Sequence, residues 1–253
     1  MHRFFVNRDS IVNDHVKITG DDAEQMRKVL RIKGGEEVVV LDGLGWEYRV
    51  LLKEVKRGYT TGEVKFKDFK VEDSKIKIIL GQGIPKGDKM DFIIQKATEL
   101  GVHEIVPLVL ERCVVKIEGV PTQSVGTRIK RWRRIAKESA EQSLRRFIPL
   151  INDICGLKEF CDKYKDMDFK MVFYEGEKKR GLKNLLNEKG EVKSISVIVG
   201  PEGGLSKEEI EIANSYGFVS AGLGQRILRT DTVALTILSI VQFLYGDLGG
   251  VRE

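Results

Sequence analysis

Cysteine, histidine and long apolar runs are all scarce in this chain, and each shortage removes a class of protein. The three cysteines, Cys113, Cys155 and Cys161, form no C-x-x-C pair and leave one over. That argues against a disulfide framework or a zinc ribbon and suits a reducing, cytoplasmic setting. The three histidines, His2, His15 and His103, have no carboxylate or cysteine at ligand spacing, so no metal is expected. The most apolar stretch, Val233 to Tyr245, carries Thr236, Ser239 and Gln242. It falls short of the roughly 20 residues that span a bilayer. No membrane partner is expected, and a buried or dimer-facing helix is the better account. Met1-His2-Arg3 leads into an apolar run too short for a signal peptide. No phosphate loop of the form glycine, four residues, Gly-Lys-Ser/Thr occurs, and no G-x-S-x-G elbow. Charge of one sign is lacking too: the net charge is +5, so where the cations cluster matters more than their sum.

The chain is 253 residues long, enough for two domains of about 100–200 residues each. Residues 1 to 72 read mostly as short strands. Glu36–Leu41, Trp46–Glu54 and Thr60–Phe69 are rich in valine, threonine and aromatics, and turn signals at Asp42-Gly43-Leu44-Gly45 and Arg57-Gly58 separate them. One helix, near Asp21–Leu30, interrupts a rhythm typical of small antiparallel barrels. From Lys75 the period changes to strand alternating with helix, which argues a mostly parallel sheet covered on both faces. Strands are expected at Ile76–Leu80, Ile105–Leu110, Ile148–Ile151, Phe169–Tyr174, Ser194–Val199 and Phe218–Leu223, with a helix at Lys89–Leu100 stopped by Gly101. The boundary falls near Glu72-Asp73-Ser74, giving domains 1–72 and 73–253.

The most informative stretch runs from Ile195 to Gly246. A β-branched strand enters Gly200-Pro201-Glu202-Gly203-Gly204, whose glycines let main-chain amides approach a ligand. Ser206 and Glu209 have capping-box spacing, with Leu205 and Ile210 placed as a staple, and Gly217 sits where a C-terminal cap would end that helix. A second loop, Gly224 to Thr230, follows the next strand, and Asp231 is placed to cap the helix after it. Two loops leaving neighbouring strand ends describe a pocket for a flat, partly polar molecule. Arg229 and Arg226 are equal candidates there for an anion or base contact. By contrast, Gly81-Gln82-Gly83-Ile84-Pro85-Lys86-Gly87 imitates a dinucleotide fingerprint, but its third glycine is one residue late and no ribose-binding acid follows, so a dehydrogenase is disfavoured.

Between Arg128 and Arg146 stand eight basic and two acidic residues. Ile129, Trp132, Ile135, Ala136, Ala140 and Ser143 keep helical spacing and face a core, leaving Lys130, Arg131, Arg134 and Lys137 outward as a candidate phosphate track. In residues 1–72 the 14 basic and 13 acidic residues nearly cancel, so Arg3, Arg27, Arg31 and Lys33 are plausible phosphate contacts against an equally good reading as ordinary surface.

GPEGGLSKEE at Gly200–Glu209 and LGQRILRTDTVAL at Leu223–Leu235 resemble the ribosomal RNA small-subunit methyltransferase E family, the 16S rRNA uracil-N3 methyltransferases of the SPOUT class. MHRFFV at the start, KGDKMDFIIQKATELGV at Lys86–Val102, ERC at Glu111–Cys113 and AEQS at Ala140–Ser143 carry the likeness along the whole chain. The sequence departs from the family at Glu24-Gln25, where histidines are common, and at Leu144, where glycine is common after AEQS. The resemblance implies a mostly parallel α/β sheet with a C-terminal trefoil knot, preceded by a PUA-like β-barrel that holds RNA. It implies S-adenosylmethionine bound by Phe173, Tyr174, Gly200, Pro201, Glu202, Gly203, Leu223, Gly224, Ile227, Leu228 and Thr230, with main-chain groups of Leu223 and Leu228 on the adenine edge. It implies a homodimer acting on 16S rRNA, within the small ribosomal subunit. Arg112 and Arg145 join Arg3, Arg27, Arg31, Lys130, Arg131, Arg134 and Lys137 as RNA contacts. The proton on uracil N3 would pass to Glu202 or Asp231, or Arg229 would stabilise the resulting charge. A SPOUT methyltransferase acting on another RNA, or a non-catalytic RNA-binding assembly factor, are the alternatives.

Overall fold

The computed structural model describes residues 1–70, 74–114, 122–188 and 190–250, and divides the chain into two compact units. The first takes Met1–Asp73 together with Ala140–Ile148, and the second takes Ser74–Ser139 with Pro149–Glu253. The first unit is therefore not one continuous stretch. Ala140 packs with Phe5, Val39 and Leu41, and Arg146 pairs with Glu47 at 3.6 Å and Asp68 at 2.6 Å. Glu141 also accepts the Phe5 N–H at 2.9 Å.

The first unit holds a six-stranded sheet of β1 (Arg3–Phe5), β2 (Ile11–Val12), β3 (His15–Thr19), β4 (Glu37–Leu41), β5 (Trp46–Lys56) and β6 (Tyr59–Phe69). Their order is β1-β4-β5-β6-β3-β2. The long hairpin β5–β6 and its neighbours β3 and β4 pair antiparallel, as expected, but β1 lies parallel to β4, which the turn spacing does not foresee. β1, β2 and β3 are short strands of the kind expected over residues 1–72, at positions the sequence pattern does not delimit one by one. Phe4, Val16, Ile18, Val38, Val40, Val50 and Leu52 meet Met26 in one core. The helix expected near Asp21–Leu30 is α1 (Gly20–Glu24) continued by a π-helical turn over Gln25–Val29.

In the second unit β7 (Lys77–Gly83), β8 (Glu104–Val109), β9 (Leu150–Ile151), β10 (Cys155–Gly156), β11 (Phe169–Phe173), β12 (Ser194–Val199) and β13 (Val219–Ala221) form one sheet. Its order is β10-β8-β7-β12-β11-β13, with β9 also on β8. Every pairing in it is parallel. The helices are α2 (Lys89–Glu99), α3 (Thr122–Gln142), α4 (Leu157–Lys163), α5 (Leu182–Asn187), α6 (Lys207–Ser215) and α7 (Thr230–Tyr245). The nearly unbroken apolar runs of β7, β11 and β12 are what a sheet covered on both faces requires.

β7 runs through Gly81 and Gly83, so these residues lie within a strand. A Cβ on Gly81 would sit 2.6 Å from the Phe160 ring, and one on Gly83 would sit 2.7 Å from Pro201. Close packing, with no nucleotide involved, accounts for those glycines. Gln242, one of several polar residues of α7, is buried. It accepts from Ser74 Oγ at 2.9 Å and donates to the Gly101 carbonyl at 3.1 Å.

Candidate functional site

Three neighbouring strands of the second sheet, β12, β11 and β13, end on a common side, and the loops that leave them enclose a cavity of about 310 Å³. Small-molecule sites occupy roughly 300–1,000 Å³. In open α/β sheets ligands sit at this carboxyl end.

The first wall is the glycine loop after β12. Ser206 caps α6: its hydroxyl accepts the Glu209 N–H at 3.3 Å while Glu209 accepts the Ser206 N–H at 2.9 Å, the reciprocal box expected from the spacing. The other Glu209 oxygen takes the Glu111 N–H at 2.8 Å. At the far end of α6, Gly217 adopts φ +81, and the Gly217 and Phe218 N–H groups return to Asn214 and Ala213 in a Schellman cap. The helix is pinned at both ends, which fixes the loop before it.

The second wall runs from Leu223 to Thr230. No backbone N–H or C=O from Leu223 to Leu228 is hydrogen-bonded among the described residues, although the segment lines the cavity. Open main-chain groups beside a cavity need an external partner, and a flat heterocycle with donors and acceptors on its edge is one. The two walls are tied together by Thr230. Its hydroxyl donates to the Gly200 carbonyl at 2.6 Å and accepts from Gln82 Nε2 at 2.9 Å. Gln82 lies on β7, Gly200 in the loop after β12 and Thr230 at the first residue of α7.

Of the residues expected at the cofactor, Phe173, Tyr174, Gly200, Pro201, Glu202, Leu223, Gly224, Ile227, Leu228 and Thr230 line the cavity. Gly203 does not. It faces Arg112, whose Nη1 donates to the Gly203 carbonyl at 2.9 Å, and a Cβ there would come 2.9 Å from the Arg112 Cβ. Arg112, expected as an RNA contact, thus braces the glycine loop. Arg226 and Arg229 both line the cavity and both are exposed. Asp231 is not among the lining residues and does not cap α7. The helix begins two residues earlier than expected, with Arg229 in place of Asp231 at its N-cap and no capping side chain, because Thr230 is held inward by Gly200 and Gln82.

Glu202 lines the cavity yet is already engaged. Its carboxylate bonds Lys89 Nζ at 2.6 Å and accepts the Lys86 N–H at 3.2 Å. Partial burial pushes its carboxyl pKa up, but the Lys89 ammonium and main-chain N–H groups outweigh that and hold it below the usual range. Glu175 and Glu177 also line the cavity and were not foreseen, although their place after the end of β11 was the available signal. Gln82 was missed too. A lone glutamine in an otherwise apolar strand is itself a sign of a buried polar tie.

The expected RNA contacts fall into two groups. Arg3 pairs with Glu47 at 2.8 Å, its side chain only 11% exposed, so its charge is already engaged in an ion pair. Arg27 pairs with Glu24 at 3.0 Å, and Arg131 pairs with Asp91. Lys130 and Arg134 are exposed on α3, Arg134 within 3.6 Å of Glu138, and Lys137 is half-buried. Arg31 is exposed, and Arg145 is half-buried. Ile129, Trp132, Ala136 and Ala140 are buried, as the helical spacing requires. No cluster of three or more metal-ligating side chains occurs among the described residues, and no described helix is long and apolar enough to cross a membrane.

Residues 72–242 match the family model for the RNA methyltransferase domain. The ribosomal RNA small subunit methyltransferase E of Bacillus subtilis is 33% identical over 230 residues, covering 89% of each chain. A crystal structure of a ribosomal RNA small subunit methyltransferase E from Neisseria gonorrhoeae bound to S-adenosyl methionine superposes with a TM-score of 0.86 at 31% identity, covering 98% of this chain and 99% of that one. A methyltransferase from Legionella pneumophila, solved with S-adenosylmethionine, gives 0.87 at 29% identity over 97% of this chain and 98% of that one. With the loops, the strand order and the full-length likeness all in agreement, this chain belongs to the ribosomal RNA small subunit methyltransferase E family.

Proposed function

We propose that this chain is an S-adenosylmethionine-dependent methyltransferase acting on N3 of a uridine in 16S ribosomal RNA. One observation carries the reading: a cavity at the carboxyl ends of β11, β12 and β13 is bounded by a loop whose main-chain groups are left open, and the Thr230–Gly200 bond holds that loop to the glycine turn.

The residues present suit an adenosyl group. Phe173, Val199, Leu205 and Leu228 give apolar walls, and the main chain of Leu223 and Leu228 offers edge partners. A Cβ on Gly222 would lie 2.7 Å from the Glu177 carbonyl, so the turn under the cavity admits glycine alone. When bound, the donor supplies a methyl group already activated by its sulfonium. The protein's contribution is then chiefly alignment and exclusion of water. Arg229, exposed at the cavity and without a carboxylate partner among the described residues, stabilises the charge that N3 develops as its proton passes to solvent water at the open side of the cavity. Glu202, tied to Lys89, is the weaker candidate for proton acceptor, and Asp231 lies outside the cavity lining.

The finer picture belongs to the same proposal. The C-terminal chain forms a trefoil knot, the first unit is a PUA-like barrel that grips RNA, and two copies pair through the apolar face of α7, where Phe243 and Leu244 are exposed. The substrate is the small subunit, because a uridine must be unpaired to expose N3. The cytoplasm is the setting that three free cysteines suit. Mass mapping of methylated nucleotides in small-subunit RNA, after incubation with purified protein and donor, tests the reading. A single added methyl on uracil N3 is expected, and unmodified RNA beside a chain that binds the donor overturns it.

A further inference from the structure

The open end of the β5–β6 hairpin carries an aromatic cluster that the methyl-transfer site does not use. Trp46 stands opposite Phe69 across the pair, and Tyr48 opposite Lys67. The Trp46 ring centroid lies 5.0 Å from that of Phe69 and 6.2 Å from that of Tyr48, the latter pair stacked at 27°.

The phase that brings these residues together is set by a bulge. Arg49 pairs with Phe66 while Val50 pairs with Val64, so Lys65 is the extra residue on β6. Without it, Phe66 and Asp68 would share the face of Tyr48 and Trp46. With it, Lys67 and Phe69 do, and Asp68 turns to the other face to meet Arg146. The extra residue thus exchanges a carboxylate for a lysine on this face and moves the aromatic partner from beside Tyr48 to beside Trp46.

Phe69 is 48% exposed and Leu44, in the loop before Trp46, is 57% exposed. Lys67 and Lys70 are exposed and have no carboxylate partner among the described residues. Lysine is depleted where proteins meet proteins, whereas aromatic rings among cations are how single-stranded nucleic acid is held without regard to sequence. We propose that Trp46 and Phe69, flanked by Lys67 and Lys70, form a stacking platform for unpaired bases of the RNA substrate. The proposal rests on the RNA-methylating reading and adds a subsite to it. The lysines meet phosphates, and the rings select single strand over duplex, because a paired base has no free face to offer.

The test uses the full chain and its own fluorescence. Of the two tryptophans, Trp132 is buried at 4% exposure, so a ligand stacking on the surface reports through Trp46. The probe is a single-stranded RNA of about eight nucleotides, within the site sizes of such surfaces, with the duplex of the same sequence as control. Emission is expected to fall with the single strand and not with the duplex, and the fall should vanish in Trp46→Phe. By anisotropy of a labelled strand, Phe69→Ala should weaken binding about 5- to 100-fold, and Phe69→Tyr should restore it. A strand that binds while emission stays constant overturns the platform, as does unaltered affinity in Phe69→Ala with an unchanged circular dichroism spectrum. Emission that falls with protein concentration alone, without RNA, also overturns it by making the face a contact between copies. Methyl transfer on the same preparations separates the two claims. Activity in a chain whose Trp46 never responds removes the platform alone, and quenching without any transfer removes the enzymatic reading alone.

Discussion

Thr230 donates its hydroxyl to the carbonyl of Gly200 at 2.6 Å, a bond across 30 residues of sequence that joins the two loops of the cavity. Gln82 completes the tie from below at 2.9 Å. Replacing Thr230 by valine keeps the shape and removes both bonds, leaving a buried carbonyl and a buried amide short of a partner. The expected cost is about 1–3 kcal/mol for such groups. Because the loops also form the cavity, calorimetry should show weakening of S-adenosylmethionine binding by about tenfold or more, while Thr230→Ser stays near the parent. Equal affinity in Thr230→Val and the parent would mean that the loops hold their places without the tie.

Glu24 concerns the first unit, where it accepts from Lys28, Arg27 and the Gly58 N–H. Those three partners, Lys28 foremost, pull its carboxyl down from 4.5 to about 2. A depressed carboxyl stabilises the fold fully above its unfolded value and loses that contribution as pH falls through its folded one. The window therefore runs from about 4.5 down to about 2. Glu24→Gln should flatten the acid side of a plot of melting midpoint against pH in that window. High salt should shrink the difference, since the group is on the surface. Parallel curves for parent and variant would show that the ion pairs are energetically silent.

How far the sequence foretold this molecule depends on whether a residue acts through its neighbours in the chain or through distant ones. The Ser206–Glu209 box, the Gly217 cap and the apolar stripe of α3 are local, and each was legible. The Thr230–Gln82 bond spans 148 residues, and no pattern in the chain announced it, so Asp231 was assigned a cap that Thr230 pre-empts. Arg3 beside Glu47 is likewise separated by 44 residues and reads from sequence as a free surface cation. The glycines of β7 looked like a nucleotide loop because their packing partners, Phe160 and Pro201, lie far along the chain.

Leu144 follows the AEQS segment and adopts φ +64, a left-handed conformation that favours glycine. For a residue with a Cβ this costs about 1–2 kcal/mol, offset by the roughly 0.5–1 kcal/mol of backbone freedom that glycine loses on folding. The side chain is 51% exposed, so little packing is forfeited. Leu144→Gly should therefore stabilise by about 0.5–1 kcal/mol and raise the melting midpoint by about 1–4 °C. A lower midpoint would mean that the leucine's remaining contacts outweigh its backbone strain.

Arg229 and Glu202 make opposite claims on the chemistry, and paired variants decide between them. Arg229 lines the cavity with its charge uncommitted, so Arg229→Ala should lower kcat about 10²–10³-fold, the loss seen when one preorganised donor to a developing charge is removed. Glu202 is bonded to Lys89 at 2.6 Å and held below its ordinary pKa, which makes it a weak acceptor near neutral pH. Removal of a working general base costs about 10²–10⁴-fold. Glu202→Gln is expected to fall well short of that, with its main effect on stability of the glycine loop through the lost charge pairing with Lys89 and one acceptor fewer for the Lys86 N–H. Asp231→Asn, outside the cavity lining, should leave the rate unchanged. Single-turnover methyl transfer at saturating donor reads all three. A collapse in Glu202→Gln beside an active Arg229→Ala would transfer the proton-accepting role to the carboxylate and require Lys89 to release it once substrate is bound.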